Sequence, residues 1–319
     1  DSFDFFRGMR TQSRGKAPVR SRVIMGPWSH LISLSPKLGE VDFGVDSHLD
    51  INSLALRWFD CLLKDMDTGI LDEPPVTIFV MGINEWRHEN EWPLARTRFT
   101  DYFLHSRGAA NGDPDGGLLS VSEPQAEPPD RYVYDPENPA PTLGGNHSIC
   151  WGDAFHVIQP GPFDQRPVEQ RNDVLTYTTL PMDADTEVTG PIMLYLFAAT
   201  DAPDTDWTAK LVDVHPDGRA INLTEGNIRA RFRKSIYEPP ELLEPGRVYP
   251  YKIEIQPTSN VFLKGHRIRL EISSSNFPLW DRNPNTGHKQ GQDAEMRIAR
   301  QTVFHSSEYP SRIVLPVIP

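Results

Sequence analysis

A histidine stands directly after a short apolar segment, where it could carry a proton. Residues 23–25 read Val-Ile-Met, and residues 26–30 read Gly-Pro-Trp-Ser-His. The apolar segment predicts a buried strand that ends at the Gly-Pro pair. Reactive loops of α/β proteins lie at the carboxyl ends of such strands, and imidazole has an unperturbed pKa near neutrality. His30 is therefore a candidate general base that could accept a proton from a serine hydroxyl.

The segments that follow this histidine predict an α/β unit. Residues 47–66 carry apolar side chains at three- and four-residue spacing, which predicts a helix, and Gly69 stands where its C-terminal cap is expected. Residues 76–81 read Val-Thr-Ile-Phe-Val-Met and predict a second strand. A strand, a helix and a strand in this order are typical of α/β folds.

The chain changes character after residue 93. Short apolar segments alternate with Pro, Gly, Asp and Asn clusters, which is typical of an all-β sandwich or jelly roll. We predict strands at residues 102–104, 131–134, 174–178, 192–199, 207–214, 228–233, 248–255, 268–274 and 313–317. Residues 108–129 are polar and rich in Gly and Pro, so we expect a long surface loop there. The sequence thus predicts two domains, at residues 1–93 and 94–319.

Three arginines alternate within one of these predicted strands. Arg229, Arg231 and Arg233 are two residues apart, so their side chains would share one face of a strand. We expect that face to be a solvated stripe.

Several motifs resemble those of one family of serine hydrolases. They are Gly-Pro-Trp-Ser-His at 26–30, Leu-Arg-Trp-Phe-Asp at 56–60, Phe-Val-Met-Gly-Ile-Asn-Glu-Trp at 79–86, Asp-Gln-Arg-Pro at 164–167, Asp-Trp-Thr-Ala-Lys-Leu-Val-Asp-Val at 206–214 and Ser-Ser-Ser-Asn-Phe-Pro at 273–278. Together they make essentially the whole chain similar to the family of cocaine esterase, α-amino-acid ester hydrolase and X-prolyl dipeptidyl-peptidase. Within that family the chain looks like the bacterial cocaine esterases.

The resemblance implies the C-terminal part of an α/β-hydrolase domain, followed by a jelly roll that helps to shape the substrate pocket. His30 would be the general base of a Ser-His-Asp triad. The acid precedes the histidine in this fold, and Asp1 matches it in position, with Asp4 as the alternative. The carboxylate would fix the tautomer of the imidazole. By family position, three further residues would line the pocket: Phe3, Ile149 and Trp151.

The nucleophile of this triad is absent from the sequence. In α/β-hydrolases the serine stands in a Gly-x-Ser-x-Gly turn, and the chain has no such pattern. We expect the serine and the oxyanion hole to lie upstream of residue 1, and the chain by itself to be inactive. The implied reaction is cleavage of a small-molecule ester, an amide or a short peptide through an acyl-enzyme. Esterase, acylase and dipeptidyl-peptidase activities all remain open.

A second hypothesis treats the chain as a non-catalytic jelly-roll module that binds a carbohydrate or a protein. The α/β segment argues against it. That segment has too few strands to close a sheet alone, so it would expose apolar surface of a kind that soluble monomers rarely show.

Composition excludes several classes of partner. The 319 residues carry a formal net charge of -12, which disfavours binding to nucleic acid and to anionic lipid. No segment approaches the roughly 20 apolar residues of a membrane helix. Cys61 and Cys150 are too few for a disulfide framework, so we expect a reducing, cytoplasmic location.

The histidines considered as metal ligands lack suitable spacing. His88, His105 and His156 are scattered along the chain, without the spacing of a zinc site. Acyl transfer by a triad also needs no cofactor. We therefore expect neither a metal nor an organic cofactor, and we leave a homo-oligomer open.

Overall fold

Two β-sheets of unequal size and one short hairpin organise the chain. The computed structural model of the protein describes residues 2–15, 20–29, 35–112, 115–147, 158–292 and 294–319. Its helices are α1 (Ser2–Gln12), α2 (Ile51–Lys64) and α3 (Arg166–Glu169). Its strands are β1 (Val23–Met25), β2 (Lys37–Leu38), β3 (Val41–Asp42), β4 (Val76–Val80), β5 (Glu85–Glu89), β6 (Arg98–Ser106), β7 (Gly117–Ser120), β8 (Asp130–Tyr134), β9 (Leu175–Thr178), β10 (Thr186–Thr200), β11 (Asp206–Val214), β12 (Ala220–Arg229), β13 (Tyr249–Phe262), β14 (Arg267–Ser273), β15 (Ala299–Phe304) and β16 (Arg312–Ile318). Among the helices of this described part, none is long and apolar enough to cross a membrane.

The smaller sheet has the strand order β1-β4-β5. β1 runs parallel to β4, and β5 runs antiparallel to it. β4 is rich in β-branched residues, which suit a pleated, buried surface, and its Val76 and Ile78 are almost completely buried. Phe3 and Phe6 of α1 join these two residues in one apolar cluster. The strands predicted at residues 23–25 and 76–81 are confirmed.

The larger sheet contains β6 to β16 and is mainly antiparallel. Its strand order is β12-β11-β14-β9-β7-β6-β16-β10-β15-β8, and β13 pairs with β10 beside this path. Only β7 and β9 pair in parallel among these strands. The sheet curves until β12 and β13 pack together, which encloses one large core. Every residue of β11 is buried. Large side chains that are fully buried in this core include Trp207, Tyr134, Tyr177, Tyr251 and Phe262.

Helix α2 begins and ends at aspartates. At the N-cap, Asp50 accepts a hydrogen bond from the backbone N–H of Ser53 at 3.1 Å. At the C-cap, Asp65 adopts the left-handed conformation with φ of 54°, which aspartate tolerates better than most residues. The helix predicted at residues 47–66 is confirmed with narrower bounds, but the expected cap at Gly69 is wrong.

Several other elements differ from the predictions. The segment at 108–129 contains β7, so it is not one continuous loop. The strand predicted at 228–233 ends at Arg229, and a short 3-10 helix follows at Ala230–Phe232. Helix α1, the strands β5 and β15, and residues 220–227 of β12 were not expected, because charged and polar residues interrupt their apolar patterns.

The prediction of a solvated arginine stripe is also wrong for Arg229 and Arg231. Arg229 contacts Asp206 at 2.9 Å, and Arg231 contacts Asp204 at 2.7 Å. Both aspartates are buried, and a buried carboxylate needs a partner to offset its desolvation. These two arginines therefore neutralise buried acids and do not form a solvated face.

A backbone junction joins the two sheets just past the end of β4. The N–H of Met81 donates to the carbonyl of Ser259 at 3.0 Å, and the N–H of Val261 donates to the carbonyl of Met81 at 2.8 Å. Beside it, Arg87 of β5 makes a two-pronged ion pair with Glu187 of β10, at 2.8 and 2.5 Å. The small sheet is thus positioned against β13 and β10 by paired hydrogen bonds.

Gly82 makes this close approach feasible. Its φ is 87°, and a Cβ at this position would lie 2.2 Å from the carbonyl oxygen of Val261. Gly246 has a similar φ of 83°, but no atom lies within 4 Å of the corresponding Cβ position. Both glycines therefore have a positive φ that disfavours other residues. Of these two, only Gly82 also has a neighbouring atom that would clash with a Cβ.

We predict that Gly82→Ala lowers the free energy of unfolding by about 3 kcal/mol or more, because backbone strain adds to a clash at the junction. Gly246→Ala should lose only about 1 kcal/mol, from backbone strain alone. Urea denaturation of both variants measures the difference. Equal losses would show that the approach to Val261 does not constrain the junction.

Candidate functional site

A cavity of about 850 Å³ lies between the two sheets. Its walls include the start of α1, the ends of β1 and β4, the hairpin of β2 and β3, the segments around residues 146 and 161, and strand ends and turns of the larger sheet. Its lining includes Ser2, Phe3, Gly26, Pro27, Trp28, Ser29, Asn146, His147, Asp213, His215, Asn260 and His266, together with Met81, Gly82 and Val261 of the junction. The cavity therefore lies next to the junction that joins the sheets.

The Gly-Pro-Trp-Ser segment forms one wall of the cavity. The indole of Trp28 folds back over Gly26, where an added Cβ would lie 2.4 Å from the ring. Trp28 packs against Trp86 at 5.5 Å between ring centroids, and Trp86 packs edge-on against Phe79 at 5.3 Å. The indole N–H of Trp86 donates to the carbonyl of Asp46 at 2.8 Å. This aromatic packing sets the course of the chain immediately before His30.

Phe3 of α1 also lines the cavity. It is 7% exposed and stacks on Trp92, with centroids 3.9 Å apart and planes 12° apart. The helix α1 thus holds the first turn of the chain against the small sheet, and both Ser2 and Phe3 line the cavity. A buried aromatic ring at this position suits the apolar portion of a bound molecule.

Asp4, the alternative acid, has a different environment. Its side chain is 66% exposed and lies 3.9 Å from the Arg7 guanidinium in the same helix. It is absent from the cavity lining, whereas its neighbours Ser2 and Phe3 belong to it.

Six residues singled out from the sequence lie outside the described residues: Asp1, His30, Ile149, Cys150, Trp151 and His156. Their described neighbours can still be located. Ser2 adjoins Asp1, Ser29 adjoins His30, and His147 lies two residues before Ile149, and all three of these neighbours line the same cavity. The described neighbours of three segments that were expected to form the site therefore line one cavity.

The larger sheet adds a group of titratable residues that sequence reasoning missed. Asp213 accepts a hydrogen bond from the imidazole of His266 at 2.8 Å, and His215 lies 3.9 Å from the same carboxylate. Burial raises the pKa of Asp213 to about 6, and the charge of His266 opposes that shift. Burial lowers the pKa of His215 to about 4, with further contributions from His266 and Arg219. Only the strand pairing brings His266 next to the other two, so their spacing in the sequence does not reveal the group.

The polar groups lie across the cavity from an apolar wall. The lining on the side of the smaller sheet is mainly apolar and includes several aromatic residues, whereas the larger sheet contributes carboxylate, imidazole and amide groups together with apolar residues. Ligand sites commonly combine an apolar lining with a few polar groups that fix orientation. The arrangement suits a small organic molecule with one apolar end.

We predict that Gly26→Ala displaces the Trp28 indole, because the added methyl group would overlap the ring. The near-ultraviolet circular dichroism of the Trp28 and Trp86 pair should weaken, and the free energy of unfolding should fall by about 1–3 kcal/mol, as in other overpacked sites. Gly8→Ala is the control, since Gly8 lies in α1 with no atom within 4 Å of the new Cβ. Gly8→Ala should leave the spectrum unchanged. It should raise the free energy of unfolding by at most about 1 kcal/mol, because alanine favours the helix more than glycine does. An unchanged spectrum and stability in Gly26→Ala would contradict this geometry.

Comparison with known proteins places these features in context. Residues 68–314 match the family described as X-Pro dipeptidyl-peptidase C-terminal non-catalytic domain. Cocaine esterase from Rhodococcus sp. strain MB1 Bresler is 43% identical over 323 residues, which cover 99% of this chain and 55% of the esterase.

Two solved structures are also similar. One is the crystal structure of an aminopeptidase from a marine sediment archaeon, Thaumarchaeota archaeon, with a TM-score of 0.80 and 30% identity over 94% of this chain and 49% of that one. The other is an α-amino acid ester hydrolase, with a TM-score of 0.75 and 28% identity over 93% of this chain and 50% of that one. The chain therefore spans about half the length of the relatives it matches.

Proposed function

Since this chain belongs to the family of X-Pro dipeptidyl-peptidase C-terminal domains found in hydrolases of the cocaine-esterase type, we propose that it is the C-terminal half of a serine hydrolase. The proposed enzyme cleaves an ester or amide bond through an acyl-enzyme. In this proposal the chain supplies the base and the acid of the triad, and the preceding half supplies the serine.

The convergence of three segments on one cavity is the observation that carries the proposal. Ser2 and Ser29 both line the cavity, so the adjacent Asp1 and His30 are attached to its wall by one peptide unit each. A histidine and its orienting carboxylate must share one site, and two segments that line one cavity are compatible with that requirement. Asp4 faces solvent beside Arg7, which favours Asp1 as the acid.

The chemistry follows from the properties of these two groups. His30, as a neutral imidazole, would take the proton of the serine hydroxyl during attack and return it to the leaving group. Asp1 would accept the Nδ1 hydrogen bond, hold the ring in one tautomer and stabilise the imidazolium that forms. The aromatic side of the cavity would bind the acyl portion through Phe3 and Trp28.

The surface of the small sheet supports the presence of a second half. No residue of α2 is buried, although Leu56, Phe59 and Leu63 are 60%, 54% and 76% exposed. β1 pairs only with β4 in the described part of the chain, which leaves one strand edge open. An α/β-hydrolase sheet that continued from β1 and packed on α2 would cover both features.

Small esters, amides and short peptides are the substrates that we propose. Relatives of the chain include a cocaine esterase, an aminopeptidase and an α-amino acid ester hydrolase. These three share cleavage of a bond to an acyl carbon. A hydrophobic or aminoacyl group would fit between the aromatic wall and the polar groups of the larger sheet.

A binding module without catalytic activity is the competing hypothesis. The description of the matching family as non-catalytic fits it, but the exposed apolar face of α2 does not, since such a face requires a covering partner. The N-terminal coding sequence discriminates between them, because the enzyme requires a Gly-x-Ser-x-Gly turn there.

We predict that His30→Ala lowers p-nitrophenyl ester turnover by the full-length enzyme by at least about 10³-fold, because the serine loses its base. Asp1→Asn should lower kcat by about 10⁴-fold, because an amide in place of the carboxylate would favour the histidine tautomer that cannot accept the serine proton.

Two control variants sharpen this test. His48→Ala and Asp4→Asn alter exposed residues outside the cavity lining, so their turnover should stay near that of the parent. The base assignment is wrong if His30→Ala remains within about tenfold of the parent. If Asp4→Asn is inactive and Asp1→Asn is not, Asp4 is the acid.

A further inference from the structure

Three side chains on the larger-sheet wall of the cavity are close enough to share one cation. They are Asp213, His215 and His266, and one ligand atom from each lies within 4.8 Å of the other two. We propose that these three residues form a binding site for a divalent transition metal ion, with Zn²⁺ the best fit. The proposal does not depend on the proposed function, because Asp1, His30 and the serine are not among the ligands.

Sheet register explains why the three side chains meet. β11 and β14 pair antiparallel with Asp213 opposite Ile268 and Val214 opposite Arg267, so the next pair outward is His215 and His266. Opposite residues share one face of a sheet, and residues two apart on a strand share it too. The strand register alone therefore places all three residues on the same face of the sheet.

The donor set and the distances suit zinc. Two imidazoles and one carboxylate, with a further open position, are a recurrent zinc arrangement. Zinc bonds of about 2.0–2.1 Å in a tetrahedron place neighbouring ligand atoms about 3.3 Å apart. The observed separations are 2.8 Å from His266 Nδ1 to Asp213 Oδ1 and 3.9 Å from His215 Nε2 to Asp213 Oδ2. The two distances run to different oxygens of Asp213, and all three ligand atoms lie within 4.8 Å of one another, so the side chains would have to rotate to surround one ion.

The fold supports these ligands on rigid backbone. Asp213 belongs to β11, and the N–H of His215 donates to the carbonyl of Arg219 at 2.8 Å in the turn that follows. The N–H of His266 donates to the carbonyl of Leu263 at 2.9 Å in the turn before β14. Ligands that the scaffold already holds in place lose little freedom on binding. A bound ion would join these two turns.

The surroundings leave a route for an ion. All three residues line the cavity, which provides an entry path and room for a fourth ligand such as water. The Arg219 guanidinium approaches His215 Nδ1 to 3.4 Å, but its Nε is held by Asp217 at 2.8 Å. Asn260 is 2% exposed, and its side chain interacts with the Asp213 carboxylate. It could orient that carboxylate from behind, as outer-shell residues do in metal sites.

The competing explanation is an ordinary buried hydrogen bond between Asp213 and His266, with His215 packed nearby. That explanation predicts no selective metal affinity. The sequence-based expectation of no metal rested on His88, His105 and His156 and did not consider the present three residues.

The experiment uses the full-length protein after removal of metal with a chelator. Zn²⁺ and Co²⁺ are titrated in turn, with bound metal measured after dialysis, the melting temperature measured with Zn²⁺, and the visible ligand-field bands measured with Co²⁺. We expect one equivalent bound, a rise in the melting temperature by mass action, and bands of a low-symmetry, tetrahedral Co²⁺ site.

His215→Ala is the main variant, because His215 is only partly buried and lies in a turn. It should weaken Zn²⁺ binding by about tenfold or more and abolish the Co²⁺ bands, and Asp213→Asn should act in the same direction. His48→Ala, which removes an exposed histidine elsewhere, should bind as the parent does. Equal Zn²⁺ affinity in the parent and His215→Ala, or an equal loss in His48→Ala, would overturn the proposal.

Discussion

The pair of backbone hydrogen bonds between Met81 and the 259–261 segment of β13 is the constraint on which the rest depends. It brings the end of β4 against the larger sheet, and Gly82 is the residue that permits an approach this close. The ion pair between Arg87 and Glu187 makes a second contact between the two sheets at the same junction. The cavity lies beside this contact, since Met81, Gly82 and residues 259–261 are among its lining residues.

The two walls of that cavity differ in chemistry because they differ in origin. The side of the smaller sheet contributes Phe3 of α1, which stacks on Trp92, and the Gly-Pro-Trp-Ser segment, whose Trp28 packs against Trp86. The larger sheet contributes Asp213, His215 and His266 from strand ends and turns. In the proposed enzyme the first wall carries the triad residues, and the second could select among substrates or hold an ion. A domain whose family is described as non-catalytic would then still shape the site.

Much of this arrangement could be predicted from local sequence, but some of it depends on distant pairing. β1, β4 and α2 follow from apolar periodicity and capping residues, and the convergence of Phe3 with residues 26–29 follows from family position. Most of β12 was missed because it buries polar residues such as Asn222 and Glu225. Buried polar groups need hydrogen-bond partners, and here those partners come from distant parts of the chain. Arg229 and Arg231 were misplaced for the same reason, since Asp206 and Asp204 become their partners only in the fold. The meeting of His215 with His266 depends on the register of β11 and β14, which no local pattern specifies.

The most direct measurement is a crystal structure of the full-length protein after reaction with a fluorophosphonate, a probe that bonds covalently to an activated serine. The account predicts a phosphonyl group on a serine of the N-terminal half, lying in the cavity between Phe3 and Trp28, with His30 within about 2.6–3.2 Å of the serine oxygen. An adduct outside this cavity, or a protein that hydrolyses esters but does not react with the probe, would contradict it.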